Sequence, residues 1–236
     1  MIDREHLVSG DLKGEFEKLG PWIYKFRVQG DDYGGGISAV GDERLAQFFQ
    51  FAPEARTILE LGSLEGAQTM LLAARRSVRQ VLAIEGRSAN IRKAIFIQGL
   101  LDVRNVRFVQ ANLEETDLAA FGTFDAVFCS GLLYHLPQPW KLIAQLPRLA
   151  SKLFLWTHYA DDSQAEVLQE GLRGKIHAEG GADEPLSGLS ETAFWPTLGS
   201  LIKLLTTSGY QAIQVVHNDL EHPNAPAVTI AATTAK

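Results

Sequence analysis

The chain is poor in several features that would define its class at once. Cys129 is the only cysteine among 236 residues, which excludes an intrachain disulfide and a cysteine-based zinc cluster. No apolar run approaches the roughly 18 residues of a membrane span, and the charged N-terminus lacks the apolar core of a signal peptide. We therefore expect a cytoplasmic protein that does not use a membrane as a partner.

The chain also lacks an excess of basic residues. It has 22 Lys and Arg against 28 Asp and Glu, a net charge of −6. Proteins that bind nucleic acid through its phosphates usually present a basic face, so this balance argues against nucleic acid as a partner. With 46% hydrophobic residues, the chain is long enough to bury one sizeable core. This composition is also compatible with a homodimer.

The most informative segment is the run TILELGSLEG at residues 57–66. An apolar stretch ends next to Glu60, and Gly62 and Gly66 bracket a short turn before a helical pattern that begins at Ala67. This succession of strand, glycine turn and helix lets the backbone approach a nucleotide-like ligand. An ordinary strand-to-helix turn without a ligand has the same pattern. The spacing E-x-G-x-x-x-G resembles motif I of the class I S-adenosylmethionine (SAM)-dependent methyltransferases.

That resemblance implies a role for each residue of the turn. Gly62 and Gly66 would let the backbone pass beneath the methionine portion of SAM without a Cβ clash. Glu60, at the end of the strand, would attract the ammonium group of SAM directly or through water.

Beyond the turn, short apolar strands alternate with helical patterns. The predicted strands are residues 57–61, 81–84, 106–109, 124–129, 152–156, 213–216 and 227–231. Near-continuous apolar strands separated by helices indicate a parallel sheet that is buried on both faces, and the last two strands are close enough to form an antiparallel hairpin. The predicted fold class is therefore α/β: a doubly wound, Rossmann-like, seven-stranded and mostly parallel sheet with an antiparallel last strand, plus an N-terminal lid and an insertion after the fifth strand.

Two segments depart from this alternation. Residues 1–42 contain the run Gly34–Gly36 and are interpreted as a helical lead-in with a mobile lid. Residues 43–236 form the predicted methyltransferase domain, and its polar, glycine-rich stretch at about 160–192 is interpreted as an insertion over the carboxyl ends of the strands. We also predict a helix over 138–149 and a helix to Ser208 that ends at Gly209.

Ligands of open α/β sheets bind at the carboxyl ends of the strands, so the residues there are candidate cofactor contacts. Glu85 ends the second strand, where a carboxylate accepts bonds from both ribose hydroxyls. Asn112 follows the third strand, where the family more often has an acid, and its amide oxygen would accept a bond from the adenine amino group. The predicted SAM-binding residues are Glu60, Gly62, Ser63, Gly66, Glu85, Gly86, Asn112, Leu113, Cys129 and Tyr134.

A finer resemblance comes from FDAVFCSGLLYH at residues 124–135, from the Pro21-Trp22 segment and from the helix after Trp195. These are similar to a subgroup that includes the tRNA wobble-uridine carboxymethyltransferases. That subgroup uses a carboxylated SAM held by a lysine, a tyrosine and a C-terminal arginine. Tyr134 fits the tyrosine, but residues 219–236 contain no arginine. We therefore expect ordinary SAM as cofactor and a small molecule as acceptor.

Transfer of a methyl group to oxygen also needs a base with a pKa near the working pH. His158 and His135 both follow predicted strands, and His158 is the favoured base. Asp161 and Asp162 do not match the pattern of the metal-dependent catechol-type enzymes, so we predict a metal-independent reaction. The aromatic residues predicted to contact the substrate are Tyr24, Tyr33, Tyr159 and Trp195.

Three functions follow, in order of preference. The first is a SAM-dependent methyltransferase acting on a small molecule, at a hydroxyl before an amine or a carbon. The second is an RNA-modifying methyl- or carboxymethyltransferase. The third is a SAM-binding regulatory protein without catalytic activity.

Overall fold

A computed structural model describes residues 11–181 and 184–235 of the chain. Its N-terminal elements are α1 (Leu12–Leu19), β1 (Tyr24–Val28), β2 (Asp31–Gly34), β3 (Ile37–Ser38) and α2 (Glu43–Phe51). The strands β2, β1 and β3 form a small separate sheet in that order. The side chain of Asp11 caps α1 by accepting a bond from the backbone N–H of Gly14 at 3.0 Å.

The glycine run of this segment has a packing role that its composition does not reveal. A Cβ atom on Gly35 would overlap the backbone carbonyl oxygens of Trp22 and Ile23, and one on Gly34 would come within 2.5 Å of the Tyr24 carbonyl oxygen. The composition predicts a lid in this region. Gly34 and Gly35 lie where their backbone passes close to that of residues 22–24, and the lid stays a prediction.

The central elements follow in chain order. They are β4 (Thr57–Leu61), α3 (Ala67–Ala73), β5 (Gln80–Glu85), α4 (Ser88–Leu100), β6 (Val106–Gln110), β7 (Ala126–Ser130), α5 (Pro139–Ile143), β8 (Lys152–His158), β9 (Val167–Gln169), β10 (Leu172–Ala178), β11 (Thr192–Pro196), α6 (Leu198–Ser208), β12 (Tyr210–Asp219) and β13 (Ala227–Thr234).

The central sheet has seven strands in the order β12-β13-β8-β7-β4-β5-β6. Only β13 runs antiparallel to its neighbours, β8 and β12, and the other strands of this sheet share one direction. The predicted fold class is therefore confirmed. The chain winds outward in both directions from the β4–β7 pair, so the crevice between the carboxyl ends of these two strands is the expected ligand site.

Apolar side chains cover both faces of this sheet. On one face Phe128 and Phe154 are fully buried and stack with ring centroids 5.6 Å apart, and Phe48 of α2 packs edge-on against both. Burying a side chain of this size contributes roughly 1.5–3 kcal/mol. This packing holds α2 against the sheet and so brings the start of α2 to the ligand end.

One local helix prediction needs correction and another is confirmed. The helix predicted over 138–149 is only the short α5, followed by a 3-10 turn at Leu146–Arg148. Pro147 accounts for the break, because its ring would clash with the carbonyl of Ile143 in a continuous α-helix. The helix predicted to end at Gly209 is confirmed as α6, with Gly209 in a left-handed conformation at φ +117°.

The insertion is more regular than its glycine content predicts. The strands β9, β10 and β11 form an antiparallel sheet in which β10 is central. Gly171 turns the β9–β10 hairpin with φ +72°, and a Cβ on Gly174 would overlap the carbonyl oxygen of Trp195. These glycines therefore serve a hairpin turn and close strand packing.

Among the described residues, no helix is long and apolar enough to cross a membrane.

Candidate functional site

A cavity of about 1100 Å³ opens at the carboxyl ends of β4, β5, β7 and β8. Its walls also include the start of α2, the segment between β10 and β11, and the loop between β12 and β13. Pockets for one small ligand usually measure about 300–1,000 Å³. The volume is therefore enough for a cofactor and an acceptor side by side.

The glycine turn forms one wall of the cavity. Gly62 and Gly66 adopt φ angles of +77° and +79°, which favour glycine. A Cβ on Gly66 would come within 3.0 Å of Ala94 and Phe108, and one on Gly62 within 3.0 Å of Leu132. Backbone conformation and close packing against protein are therefore further reasons for glycine at both positions, and their role beneath the methionine portion of SAM stays a prediction. Gly66 itself does not line the cavity.

Glu85 stands at the end of β5, opposite the turn, and is 6% exposed. Its two oxygens accept bonds from the backbone N–H of Leu64 at 2.9 Å and of Arg87 at 2.8 Å. Burial raises the pKa of this carboxyl, and the two backbone bonds oppose that rise. The amide of Asn90 donates a third bond, to the oxygen that Arg87 also uses, so Glu85 links the glycine turn to β5 and its Oε2 atom keeps a lone pair for a ligand.

Several buried polar atoms near the turn have no hydrogen-bond partner among the described residues. They include both carboxylate oxygens of Glu60 and the hydroxyl oxygens of Ser63 and Ser130. Burial, with the nearby charge of Glu85, raises the pKa of Glu60 to about 7 against the opposing effect of the Thr69 hydroxyl. Buried polar groups nearly always have partners, so this cluster fits a ligand that brings a positive charge and hydrogen-bonding groups. Glu60 lies behind the cavity wall, whereas Ser63 and Ser130 line it.

Where the cavity meets the carboxyl ends of β5 and β6, it is lined by Gly86, Asn112 and Leu113, as their strand-end positions predict. The side-chain oxygen of Asn112 accepts a bond from the backbone N–H of Glu114 at 3.1 Å. This bond holds the amide in the turn after β6, and its oxygen keeps a second lone pair.

Arg87 joins this end of the cavity to the insertion. Its guanidinium donates to the carbonyl oxygens of Ser187 at 2.8 Å, of Glu184 at 2.9 Å, and of Gly181 and Gly188 at 3.1 Å. These carbonyl groups all belong to the segment between β10 and β11. Arg87 is therefore the anchor of the β10–β11 segment beside Gly86.

His135 contacts the insertion as well. Its Nδ1 atom lies 3.0 Å from the carboxylate of Glu179, which also accepts bonds from the Ser187 hydroxyl at 2.5 Å and the Gly188 N–H at 2.6 Å. Burial lowers the pKa of His135, although the charge of Glu179 acts in the opposite direction. The geometry makes His135 an oriented imidazole at the junction of β7 and the insertion.

His158 is 3% exposed at the end of β8. Its Nδ1 atom lies 3.0 Å from the carbonyl oxygen of Ala225. Because a carbonyl oxygen only accepts, Nδ1 carries a proton and donates it to this bond. Burial lowers the pKa of His158, so the ring is neutral near pH 7 and its Nε2 atom has a free lone pair.

Aromatic rings surround His158. Its ring stacks on Trp195 with centroids 5.5 Å apart and meets Tyr134 at 4.6 Å and Trp156 at 5.1 Å. Burial raises the pKa of Tyr134 to about 12, so its hydroxyl stays protonated. All these residues line the cavity, which makes this the acceptor end.

Several cavity residues have no recognisable sequence signal. Every histidine in the described part of the chain lines the cavity, so His177, His217 and His222 join the two predicted ones. Arg44 of α2 is another such residue: it bonds to Asp42 at 2.6 Å and lies 4.9 Å from the centre of the Trp156 ring. These residues come from hairpins and from α2, which are far apart in the sequence and meet only in the folded chain.

The remaining predicted site residues are distributed unevenly. Tyr24 and Trp195 line the cavity. Tyr33 does not, because it stacks on Phe16 at 4.9 Å within the N-terminal aromatic cluster. Tyr159 donates its hydroxyl to Asn218 at 2.9 Å and also lies outside the lining. Cys129 is buried behind Ser130 with a pKa raised by burial to about 12, which makes the thiol unreactive.

Within the described ranges, no group of three or more His, Cys, Asp or Glu side chains is arranged to hold a metal ion.

A family described as "Methyltransferase domain" matches residues 59–152. Two crystal structures of the N-terminal domain of EvdMO1, one with S-adenosylhomocysteine (SAH) and one in the presence of SAH and D-fucose, are 31% identical with a TM-score of 0.87. Each alignment covers 100% of this chain and 98% of that domain.

The full EvdMO1 structure is 29% identical with a TM-score of 0.74, and this chain spans 47% of its length. The 1,6-didemethyltoxoflavin-N1-methyltransferase of Burkholderia thailandensis is 16% identical with a TM-score of 0.60, over 84% of this chain and 80% of that one, and shares the fold. A search of curated protein sequences found no match.

Proposed function

Because the chain belongs to the class I SAM-dependent methyltransferases, we propose that it methylates a hydroxyl group of a small, sugar-like acceptor without a metal ion. The observation that carries the acceptor class is the 31% identity, over the whole chain, to a domain crystallised with SAH and D-fucose. The ring-lined end of the cavity supports the same proposal. The finer resemblance to the tRNA wobble-uridine enzymes stays a prediction.

The cofactor end of the cavity has groups for each part of SAM. Glu85 would accept bonds from the ribose hydroxyls, and Asn112 would bond to the adenine. Glu60 is the buried carboxyl that would pair with the ammonium of SAM, and Arg44 would pair with its carboxylate. When bound, SAM supplies a methyl carbon already activated by a positive sulfur.

The acceptor end combines flat apolar faces with scattered polar groups. Trp156 and Trp195 line this end, and the C–H groups of a pyranose would pack against the exposed parts of such aromatic side chains. Asn224, Thr229 and His222 line the same end and offer donors and acceptors to hydroxyl groups. A few polar groups set in an aromatic wall are typical of sites that orient a small ligand.

His158 would act as the general base. Its Nε2 atom would take the O–H proton of the acceptor as the acceptor oxygen bonds to the methyl carbon, and SAM would supply that carbon, its sulfur keeping the electrons of the broken carbon–sulfur bond. The Nδ1–H bond to Ala225 fixes the ring so that Nε2 is the free atom. Holding the acceptor oxygen in line with the carbon–sulfur bond would contribute further, because it makes the reaction effectively unimolecular.

The test is incubation of the purified protein with SAM and, in separate reactions, D-fucose, its methyl glycoside and bulk tRNA. We expect SAH release and a sugar product heavier by one methylene unit. Methylation of tRNA alone, with a steep salt dependence, would replace this proposal by the RNA-modifying one. SAM binding without turnover on sugars, other small hydroxyl compounds or tRNA would favour a regulatory role.

A further inference from the structure

A buried carboxylate connects the glycine turn to the N-terminal segment, and the proposed chemistry does not use it. Glu65 directly precedes Gly66 and is fully buried. Its oxygens accept bonds from the backbone N–H of Ile23 at 3.0 Å and of Tyr24 at 2.8 Å. A charge is buried only with such partners, so these bonds are integral to the position of both segments.

Lys93 of α4 completes the connection from the other side. It is 6% exposed, and its ammonium lies 2.8 Å from the Glu65 carboxylate. The same ammonium donates a second bond to the carbonyl oxygen of Pro21 and lies 5.3 Å from the centre of the Trp22 ring. Both members of the ion pair therefore bind the main chain of residues 21–24.

The turn is held on its other side by the ribose-binding acid. The N–H of Leu64 donates to Glu85, and Leu64 has a left-handed backbone with φ +49°. Leu64 therefore bonds the glycine turn to Glu85, and the adjacent Glu65 bonds it to the N-terminal segment. Tyr24 donates its backbone N–H to Glu65 and lines the cavity, as does Arg44. Glu65 therefore links the turn directly to a residue of the cavity wall.

We propose that Glu65 is a positioning residue that couples cofactor binding at the turn to the placement of Tyr24 in the cavity. The inference rests on the proposed cofactor site. Coupling of this kind is reciprocal: if an ordered N-terminal segment raises the affinity for the cofactor, the cofactor orders the segment by the same factor. A purely structural role of Glu65 does not require the second effect.

Two measurements on the full chain test the proposal, with SAH as the probe. Hydrogen exchange should slow at the Ile23 and Tyr24 amides when SAH binds to the unaltered protein. In Glu65→Gln, calorimetry should show SAH affinity lowered by about 5- to 150-fold, the usual range of coupling between sites, and the SAH-dependent protection should be lost. The matched control is Asp32→Asn, which should change neither result. Asp32 lies on β2, and its exposed carboxylate pairs with Lys25 and Arg27 of β1, the strand that begins at Tyr24.

Two results would overturn the coupling. One is SAH binding to the unaltered protein with no change in exchange at residues 23–24. The other is a Glu65→Gln protein with unchanged affinity and protection. If Glu65→Gln does not fold, the double variant Glu65→Gln/Lys93→Met avoids an unpaired buried ammonium and carries the same expectation. Failure of the unaltered protein to bind SAH would instead refute the cofactor site itself.

Discussion

The Nδ1 atom of His158 lies 3.0 Å from the carbonyl oxygen of Ala225. This contact joins the end of β8 to the loop before β13 and determines which ring nitrogen of His158 is free. Since the loop is ordered by the antiparallel pairing of β13 with β8, the orientation of the proposed base depends on the last strand of the sheet.

The first prediction concerns that base. In His158→Gln the side-chain amide can still donate to the Ala225 carbonyl, but it has no basic lone pair. We expect methyl transfer to the identified acceptor to fall by about 10²- to 10⁴-fold, with SAH affinity little changed. Rate and affinity are measured by SAH release and calorimetry. Full turnover of the variant would remove His158 from the chemistry.

The pH dependence of the same reaction is a second prediction. Only neutral His158 accepts a proton, and burial lowers its pKa below the ordinary value of 6.5. The rate should therefore rise with pH and reach its plateau below pH 6.5. A plateau reached only well above pH 6.5 would contradict a base in this environment.

A third prediction concerns the acid after β5. Glu85→Ala removes the acceptor for the Leu64 N–H and for the ribose hydroxyls. Hydrogen bonds to a charged group contribute about 1.5–3 kcal/mol, so SAH affinity should fall by about 10- to 150-fold. Glu115→Ala is the control, because Glu115 is an exposed acid in the turn after β6. Equal SAH affinity in Glu85→Ala and the unaltered protein would refute the ribose assignment.

The fourth prediction uses the raised pKa of Glu60, about 7 against a usual value of 4.5. A carboxyl whose folded pKa is raised stabilises the fold below pH 4.5, and this contribution is lost as pH rises through 7. Without ligand, the free energy of unfolding should therefore fall between pH 5 and 8, relative to Glu60→Gln, by on the order of 3 kcal/mol.

Denaturant unfolding of both proteins across this pH range measures the difference. The comparison with Glu60→Gln isolates Glu60 from Glu85, whose pKa is raised as well. Parallel pH profiles for the two proteins would show that Glu60 is already ionised at pH 5. SAM should reduce the difference, because its ammonium favours the charged carboxylate.

A fifth prediction concerns the contact between His135 and the insertion. The Glu179 charge opposes the effect of burial on His135, so Glu179→Gln should lower the His135 pKa further. An NMR titration of the imidazole signals measures this shift. The exposed Glu191, changed to Gln, is the control. An unchanged His135 pKa in Glu179→Gln would show that the two groups do not interact in solution.

Local patterns were sufficient for the central sheet and the cofactor turn. The apolar runs of β4 and β7, the acids Glu60 and Glu85, and the glycines of the turn are read from neighbouring residues. In a parallel sheet, consecutive strands end at the same edge, so strand order alone places Glu85 and Asn112 near one ligand. That is why the fold and the cofactor can be predicted from the sequence.

Other features depend on partners far along the chain. The second sheet, β9–β11, forms because glycines such as Gly174 let β10 approach β11, a close contact that looks like loop composition in the sequence. Tyr33 was expected at the substrate and packs on Phe16 instead. Whether an aromatic residue faces a cavity or a core depends on the strand register, which composition does not specify.

The sequence by itself determined the class of protein, the cofactor and the strand ends that meet it, because periodicity and turn chemistry are local properties. The tertiary structure decided which histidine has a free nitrogen, where Arg44 and Arg87 act, and that Glu65 reaches across 42 positions to Ile23. The physical reason is that a proton's place on an imidazole, or a partner for a buried charge, is set by backbone groups from distant segments. Their approach is determined only when the whole chain has packed.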